Sequence, residues 1–306
     1  MINKKILNII DEIEKNILGK REKIILSMTC LLAKGHLLIE DLPGIGKTSL
    51  ANSLSKVMGL SFKRIQCTSD MLPGDILGTS VFDQNSGAFT FHPGPVFTQV
   101  LLADEINRAT PKTQSALLEV MEEGQITIEG TTYQLKRPFF VIATQNPHEQ
   151  AGTFPLPESQ LDRFLFNIDI GYPDKESEKE ILKNKYTSGY ENRVTQSVLD
   201  PQTVIEIQTK VQNIKASDPL IEYLQNIIEY TRLSGRFKNG LSPRAGINIL
   251  QSAKAWAYIH SRDFAIPDDI IAILPWAASH RLFLEKENRF IKKNEIHEML
   301  NEIKIP

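Results

Sequence analysis

The segment from Asp41 to Thr48 has the residue types of a phosphate-binding loop. Its sequence is DLPGIGKT, and it lies between an apolar run and a helix-like stretch. Glycines let backbone N–H groups converge on phosphate oxygens, and a helix amino terminus adds the positive end of its dipole. Lys47 would neutralise the β- and γ-phosphates, and the Thr48 hydroxyl would bind Mg²⁺. The alternative is a glycine turn that caps an ordinary helix. Asp41 stands where the general pattern has glycine, and a carboxylate beside phosphate is unfavourable unless it points away.

Two adjacent carboxylates end the apolar run VLLADE, residues 100–105. The apolar residues predict a buried strand that delivers Asp104 and Glu105 at its carboxyl end, where ligands bind in open α/β sheets. Asp104 would hold the Mg²⁺ shell. Glu105 would polarise the attacking water, a general-base role typically worth about 10²–10⁴ in rate. Two acids after a strand are common by themselves, but together with the upstream loop they predict a nucleotide site.

A third polar group follows the apolar run at residues 139–144. Asn146 comes two residues after that run, and its amide could orient a water near the γ-phosphate. The alternative is an ordinary Asn-Pro turn, because Pro147 follows directly.

These side chains need a scaffold, and the apolar pattern predicts one. Five short apolar runs without alternation are typical of parallel strands whose two faces are covered by helices. They lie at residues 36–40, 62–67, 100–104, 139–144 and 165–170. Helical stretches separate them, notably residues 47–58 and 112–123. This alternation predicts a doubly wound α/β domain, an αβα sandwich around a five-stranded parallel sheet. We interpret Lys63 and Arg64, beside the second run, as ordinary surface residues.

Two segments depart from this pattern and predict β-hairpins on the surface. They are residues 81–97 and 124–136, each with glycine near its centre. After Gly171-Tyr172-Pro173 the character changes again. Helices are predicted to begin at Asp200-Pro201, Asp218-Pro219 and Ser242-Pro243, each an N-cap side chain followed by proline. We therefore expect an α/β domain over residues 1–172 and an all-helical domain over residues 173–306.

Composition restricts the classes of function. The 306 residues carry 35 basic and 37 acidic side chains, a formal net charge of −2. This balance excludes bulk electrostatic attraction to nucleic acid or to an anionic membrane. The two cysteines form no disulfide framework, and the six histidines fall in no metal-ligand spacing. The longest apolar stretch is interrupted by polar residues, so membrane insertion is not expected. We expect a cytoplasmic protein.

Four longer segments resemble the MoxR family of AAA+ ATPases. They are EDLPGIGKT (40–48), LLADEINRATPKTQSALLEVMEEGQITI (101–128), IATQNPHEQAGTFPLPESQLDRF (142–164) and LSPRA (241–245). The similarity covers nearly the whole chain and is most specific in its middle third. The loop is similar to the form that the family usually shows, Asp41 included. The resemblance implies that the α/β domain is an AAA+ P-loop domain and that the helical domain is its lid.

The resemblance also implies a role for each matching residue. Thr48 and Asp104 would hold Mg²⁺, Asp104 and Glu105 match the Walker B pair, and Asn146 matches the sensor-1 amide. Ile17-Leu18-Gly19 is similar to the segment that lines the adenine. The residues implied to bind ATP are Ile17, Gly19, Pro43, Gly44, Ile45, Gly46, Lys47, Thr48, Ser49 and Asp104.

Two arginines complete the implied catalytic set. Arg163 matches the arginine finger, which reaches the nucleotide of a neighbouring subunit and can contribute about 10³–10⁵ in rate. Arg244, in LSPRA, matches the sensor-2 arginine of the lid. There it would couple loss of the γ-phosphate to a change in the interdomain angle. The two hairpins resemble the helix-2 insert and the pre-sensor-1 hairpin, which AAA+ rings point towards their pore.

The function implied is Mg²⁺-dependent ATP hydrolysis by a ring, a hexamer in this family. The resemblance further implies chaperone-like remodelling or maturation of protein clients, with a partner that carries a von Willebrand factor A domain. One alternative is a nucleotide-gated binding module without turnover, although such a module would not need Glu105, Asn146 and Arg163. A second alternative is a DNA-handling AAA+ motor, against which the near-neutral charge argues.

Overall fold

The computed structural model describes residues 2–84, 87–146, 152–185 and 197–305. The helices of these ranges are α1 (Lys4–Glu14), α2 (Arg21–Leu32), α3 (Lys47–Val57), α4 (Pro73–Leu77), α5 (Pro111–Glu123), α6 (Glu158–Leu161), α7 (Lys175–Lys185), α8 (Pro201–Gln212), α9 (Asp218–Leu233), α10 (Pro243–Ile259), α11 (Pro267–Ala278) and α12 (Lys293–Asn301). The strands are β1 (Leu37–Glu40), β2 (Phe62–Gln66), β3 (Gly78–Asp83), β4 (Ala88–Pro93), β5 (Val100–Asp104), β6 (Gln125–Ile128), β7 (Thr131–Gln134), β8 (Phe140–Gln145), β9 (Phe166–Ile168), β10 (Phe283–Leu284) and β11 (Arg289–Phe290).

Five of these strands form one parallel sheet in the order β2-β5-β8-β1-β9. This confirms the predicted five-stranded parallel sheet, with strand ends that differ from the apolar runs by at most two residues. Strand β8 lies between β5 and β1. The carboxyl ends of β1, β5 and β8 therefore lie side by side at one edge of the sheet.

Side chains of the central strands alternate between two apolar clusters. Leu37 and Ile39 of β1 belong to a cluster with residues of α1, α2 and α3. Leu38 belongs to a second cluster, which includes residues of β5 and α5 on the opposite face. Helices thus cover both faces, which explains why these strands read as continuous apolar runs. Strand β2 is the exception, because it lies at the sheet edge and its Lys63 and Arg64 are exposed.

Both predicted hairpins are present. β3 pairs with β4 and β6 pairs with β7, each antiparallel. The first hairpin begins at Gly78, three residues earlier than predicted, and residues 85 and 86 at its turn lie outside the described residues. Its side chains Val81, Phe82 and Phe89 are at least half exposed.

The part of the chain after β9 is helical, from α7 to α12, with one short hairpin of β10 and β11. The Asp200 and Ser242 side chains cap α8 and α10, as predicted. At α9 the prediction was wrong by one residue, because the Ser217 hydroxyl accepts from the Leu220 N–H and Asp218 is the first helical residue. A carboxylate in the first turn is favourable there, since it faces the positive end of the helix dipole.

Polar contacts join the helical part to the α/β part. The Asn3 N–H, just before α1, donates to the Ile259 carbonyl at the end of α10. The buried Arg281 guanidinium, after α11, pairs with Asp162 at 2.6 Å, just after α6. Among the described helices, none has both the length and the apolar composition needed to cross a bilayer.

His36, immediately before β1, ties three elements together. Its Nδ1 accepts the Val141 N–H of β8 at 3.0 Å, so its Nε2 carries the proton and donates to the Met121 carbonyl of α5 at 2.9 Å. The side chain is buried, and burial lowers the pKa of His36 to about 4. Both hydrogen bonds suit the neutral ring, so a proton on Nδ1 would cost the Val141 bond.

We expect His36 to make folding stability depend on pH below neutrality. A histidine in an unfolded chain takes up a proton near pH 6.5, whereas folded His36 does so near pH 4. The unfolded state binds more protons between these values, so stability from His36 is complete above about pH 6.5 and is lost as pH falls towards 4. The full difference corresponds to about 3 kcal/mol. The free energy of unfolding measured in urea should therefore be about 2 kcal/mol lower at pH 5 than at pH 7 because of His36.

Two variants isolate this contribution. His36→Gln should lose less stability than the wild type between pH 7 and pH 5, because glutamine does not titrate there. His297→Gln removes an exposed histidine and should keep the wild-type pH dependence. The same pH dependence in His36→Gln and in the wild type would contradict the assignment.

Candidate active site

The glycine-rich loop connects β1 to α3 and has the geometry of an anion site. Gly44 and Gly46 have φ angles of 83° and 97°, in the left-handed region that favours glycine. A Cβ atom built on either glycine would meet no atom within 4 Å. Conformation, not packing, therefore requires glycine here. Gly46 is the N-cap of α3 and provides no side-chain cap, so the first N–H groups of the helix can donate to an anion.

The Asp41 carboxylate is turned towards backbone N–H groups. Its Oδ1 accepts from Leu42 N at 2.8 Å, and its Oδ2 accepts from Ile170 N at 2.7 Å and from Gly171 N at 2.6 Å. The hydrogen bonds from these N–H groups, two of which follow β9, compensate the negative charge of Asp41. An acid at this position of the loop is thus compatible with a phosphate beside the glycines.

Lys47 links the loop to the acidic strand end. Its Nζ donates to the Asp41 carbonyl at 2.7 Å. Burial lowers the pKa of Lys47, although the nearby carboxylates of Asp104, Asp41 and Glu105 act in the opposite direction. Since β1 and β5 end at the same edge of the sheet with only β8 between them, the loop and the end of β5 border one space, where the charges of Lys47, Asp104 and Glu105 interact.

Thr144 positions the two carboxylates, and sequence reasoning missed it. This fully buried residue of β8 donates its hydroxyl to Asp104 Oδ1 at 2.5 Å and accepts the Glu105 N–H at 2.9 Å. Glu105 itself has a φ angle of 55°, uncommon for a residue other than glycine. The available signal was a hydroxyl at the last residue of the predicted strand, two residues before Asn146.

Strand β2 also reaches this site, so the interpretation of Arg64 as an ordinary surface residue was wrong. Its Nη2 lies 2.7 Å from Asp104 Oδ2. Two residues further along β2, Gln66 Nε2 donates to Glu105 Oε2 at 2.8 Å. The register pairs Gln66 with Asp104, and side chains two apart share one face of a strand. Lys63, on the other face, donates instead to the Gly94 carbonyl at 3.4 Å.

Asn146 and the segment around Gly19 are the remaining residues with an expected role at the loop. Asn146 directly follows β8, between the strands that end at the loop and at Asp104, while residues 147–151 lie outside the described residues. Ile17 is only 5% exposed and packs in the core. Gly19 has a φ angle of 68°, and a Cβ there would lie 2.5 Å from the Ser177 hydroxyl of α7, so both conformation and space require glycine at this position.

The arginines Arg163 and Arg244 lie together, away from the loop of their own chain. Arg163 Nη2 is 3.2 Å from Glu122 Oε2, and Arg244 Nη2 is 2.5 Å from Glu122 Oε1. Glu122 follows Met121, whose carbonyl binds His36 at the amino end of β1. The glycine-rich loop follows the carboxyl end of β1, so the length of the sheet separates it from both guanidinium groups. In this arrangement the Arg244 guanidinium contacts Glu122 of α5, and its sensor-2 role stays a prediction.

The donor set suits Mg²⁺ held together with phosphates. In the described ranges, no three His, Cys, Asp or Glu side chains cluster as a protein metal cage would require. Mg²⁺ usually takes one or two protein oxygens, substrate phosphates and waters. The Thr48 hydroxyl at the start of α3 and the Asp104 carboxylate at the end of β5 are of that kind.

Comparison with known proteins identifies the family. The model of the ATPase family associated with various cellular activities (AAA) matches residues 36–166, and the AAA lid domain matches residues 229–303. Chaperone MoxR1 of Mycobacterium tuberculosis is 39% identical over 89% of this chain and 74% of its own length. This chain belongs to the MoxR family of AAA ATPases. Membership of the AAA ATPase family implies nucleotide binding, typically with Mg²⁺.

Two further relatives of this MoxR-family chain match it over nearly its full length. The uncharacterised protein YeaC of Bacillus subtilis is 45% identical over 97% of this chain and 93% of its own. The crystal structure of a candidate ATPase from Cytophaga hutchinsonii is 39% identical, with a TM-score of 0.90 over 98% of this chain and 94% of that one. The α/β and helical parts are therefore both features of the MoxR fold.

Proposed function

We propose that this MoxR-family chain hydrolyses ATP to ADP and phosphate with Mg²⁺. The observation that carries the proposal is the strand order, which puts the glycine-rich loop after β1 and the carboxylates after β5 at the same edge of the sheet, with only β8 between them. Two segments that are 57 residues apart in sequence thereby border one space, with a positive loop on one side and two carboxylates on the other.

Each group has a distinct task in this proposal. The residues from Pro43 to Ser49 bind the phosphates through backbone N–H groups, with Lys47 as the charged donor. Thr48 and Asp104 hold Mg²⁺, which neutralises charge on the phosphate oxygens when bound. Glu105 accepts the proton of the attacking water. Asn146 orients that water, and the backbone of residues 17–19 borders the adenine.

The active unit that we propose is a ring, a hexamer as in the family resemblance. Because Glu122 holds Arg163 and Arg244 at the far end of the sheet, neither guanidinium serves its own phosphate site. Both act instead on the nucleotide of a neighbouring subunit. This revises the sensor-2 expectation for Arg244, since the lid would respond to the neighbour's nucleotide rather than to its own.

We further propose a coupling of ATP turnover to remodelling or maturation of protein clients in the cytoplasm. The name of Chaperone MoxR1 supports a client, and a partner with a von Willebrand factor A domain remains the family expectation. The half-exposed Phe82 and Phe89 rings of the first hairpin, 5.3 Å apart, offer an apolar contact to such a client. The ATPase domain would comprise residues 1–172 and the lid residues 173–306, with the boundary between β9 and α7.

Nucleotide binding provides the direct test. We expect the wild-type chain to bind ATP in the presence of Mg²⁺ and to release phosphate. Lys47→Ala should weaken ATP binding at least about tenfold, because a charge-assisted contact to phosphate is lost. Isothermal titration calorimetry would measure the affinity for ATP. The control is Lys56→Ala, which removes a lysine later in the same helix. Equal affinities for the two variants would refute the phosphate role of Lys47. Binding without phosphate release would favour a nucleotide-gated module, and salt-dependent DNA binding at physiological ionic strength would favour a DNA motor.

A further inference from the structure

Arg64 of the edge strand β2 binds the carboxylate that the proposed function assigns to Mg²⁺. Its Nε and Nη2 lie 3.2 and 2.7 Å from Asp104 Oδ2. The other oxygen of Asp104, Oδ1, accepts the Thr144 hydroxyl. Both oxygens are therefore engaged, one by a neutral donor and one by a cation.

The two partners of Asp104 differ in how easily they can leave. Thr144 is fully buried in the centre of the sheet. The Arg64 side chain is 47% exposed, whereas that of Asp104 is 12% exposed. Arg64 Nη2 also lies 3.1 Å from Gln66 Oε1, so a second acceptor is already in reach on its own strand. The guanidinium can therefore leave Asp104 without being left unpaired.

We propose that Arg64 is the counter-cation of Asp104 before Mg²⁺ binds and that it competes with Mg²⁺ for Asp104 Oδ2. Two cations at one carboxylate oxygen repel each other, so binding of the metal with nucleotide requires Arg64 to swing towards Gln66 and solvent. Arg64 thereby sets the Mg²⁺ concentration at which the site loads. This inference rests on the proposed function, because it takes Asp104 as the Mg²⁺ ligand.

The competition can be measured without turnover. A fluorescent β,γ-imido analogue of ATP would be titrated onto the full chain at a series of Mg²⁺ concentrations and in EDTA. The Mg²⁺ concentration at half-maximal binding is the readout. Arg64→Gln should lower this midpoint about two- to fivefold, as expected for loss of a partly exposed ion pair. Affinity in EDTA should change less than about twofold, since Arg64 does not contact the glycine-rich loop.

A matched control and a coupled variant separate competition from general electrostatics. Lys63→Gln removes the same charge from the adjacent residue, whose side chain lies on the other face of β2, and should leave the midpoint unchanged. Arg64→Lys should shift the midpoint less than Arg64→Gln, because it keeps the charge but loses the fork of donors. With Asp104→Asn, the further change Arg64→Gln should have no effect. Thermal unfolding would verify that each variant folds.

The outcomes are distinct. An equal shift in Lys63→Gln, or a higher midpoint in Arg64→Gln, would overturn the competition. An unchanged midpoint in Arg64→Gln would overturn it as well, while the proposed function would stand. If the wild-type chain binds no analogue at any Mg²⁺ concentration, the proposed function fails and this inference fails with it.

Discussion

The Glu105→Gln variant should bind ATP about as tightly as the wild type and lose turnover by about two orders of magnitude or more. Glutamine has the same shape and can keep the contact to Gln66 that Glu105 Oε2 accepts at 2.8 Å. It cannot accept a proton from water. Lys47 and the glycine-rich loop, which bind the phosphates in our proposal, are untouched. The loss should therefore appear in the rate and not in affinity.

Single-turnover phosphate release and equilibrium ATP binding would separate these two effects. Glu119→Gln removes an acid from an exposed position of α5 and should retain wild-type turnover. Equal rates for Glu105→Gln and the wild type would remove Glu105 from the mechanism. The same variant is expected to accumulate in the ATP state, so a pull-down with it should retain a partner or client.

The Arg163→Ala variant should lose turnover by about 10³ or more at concentrations where rings form, while its ATP affinity stays nearly intact. The reason is geometric, since Arg163 binds Glu122 at the amino edge of the sheet and the chain's own loop lies at the carboxyl edge. The Glu122 pair is partly exposed, so its loss should change stability by at most about 1 kcal/mol. A catalytic defect without unfolding is the expected signature.

Mixed rings test the action of Arg163 on a neighbour. Adding Arg163→Ala subunits to the wild type should reduce activity by more than dilution, because each variant subunit disables a neighbouring site. The control is Arg137→Ala, at an exposed position, which should not reduce the activity of the mixture. Activity that remains proportional to the fraction of wild-type subunits would contradict the trans role. Arg244→Ala should follow the same pattern, since it shares Glu122 with Arg163.

Contiguous features of this protein were predictable from sequence. The glycines, Lys47 and Thr48 lie within a few residues of one another, so their chemistry is visible without a fold. The apolar runs predicted the five strands, and in all of them except the exposed edge strand β2 burial on both faces explains the continuous apolar signature. The starts of α8 and α10 followed from Asp200 and Ser242, because each N-cap side chain accepts from an N–H group only three residues further on. The error at α9 was also local, because the N-cap is Ser217, one residue before the predicted Asp218.

Only the tertiary structure, through strand order and side-chain direction, decided which residues distant in sequence are paired at the site. Arg64 and Asp104 are 40 residues apart, and they meet because β2 pairs with β5 in a register that places both side chains on one face. Asp41 is the first residue of the glycine-rich segment, where its charge would oppose a phosphate. Its carboxylate instead accepts from the N–H groups of residues 170 and 171. Arg163 and Arg244 come from separate segments and converge on Glu122. Local propensity and motif spacing carry no information on such pairings, which arise only when the sheet and the helices pack together.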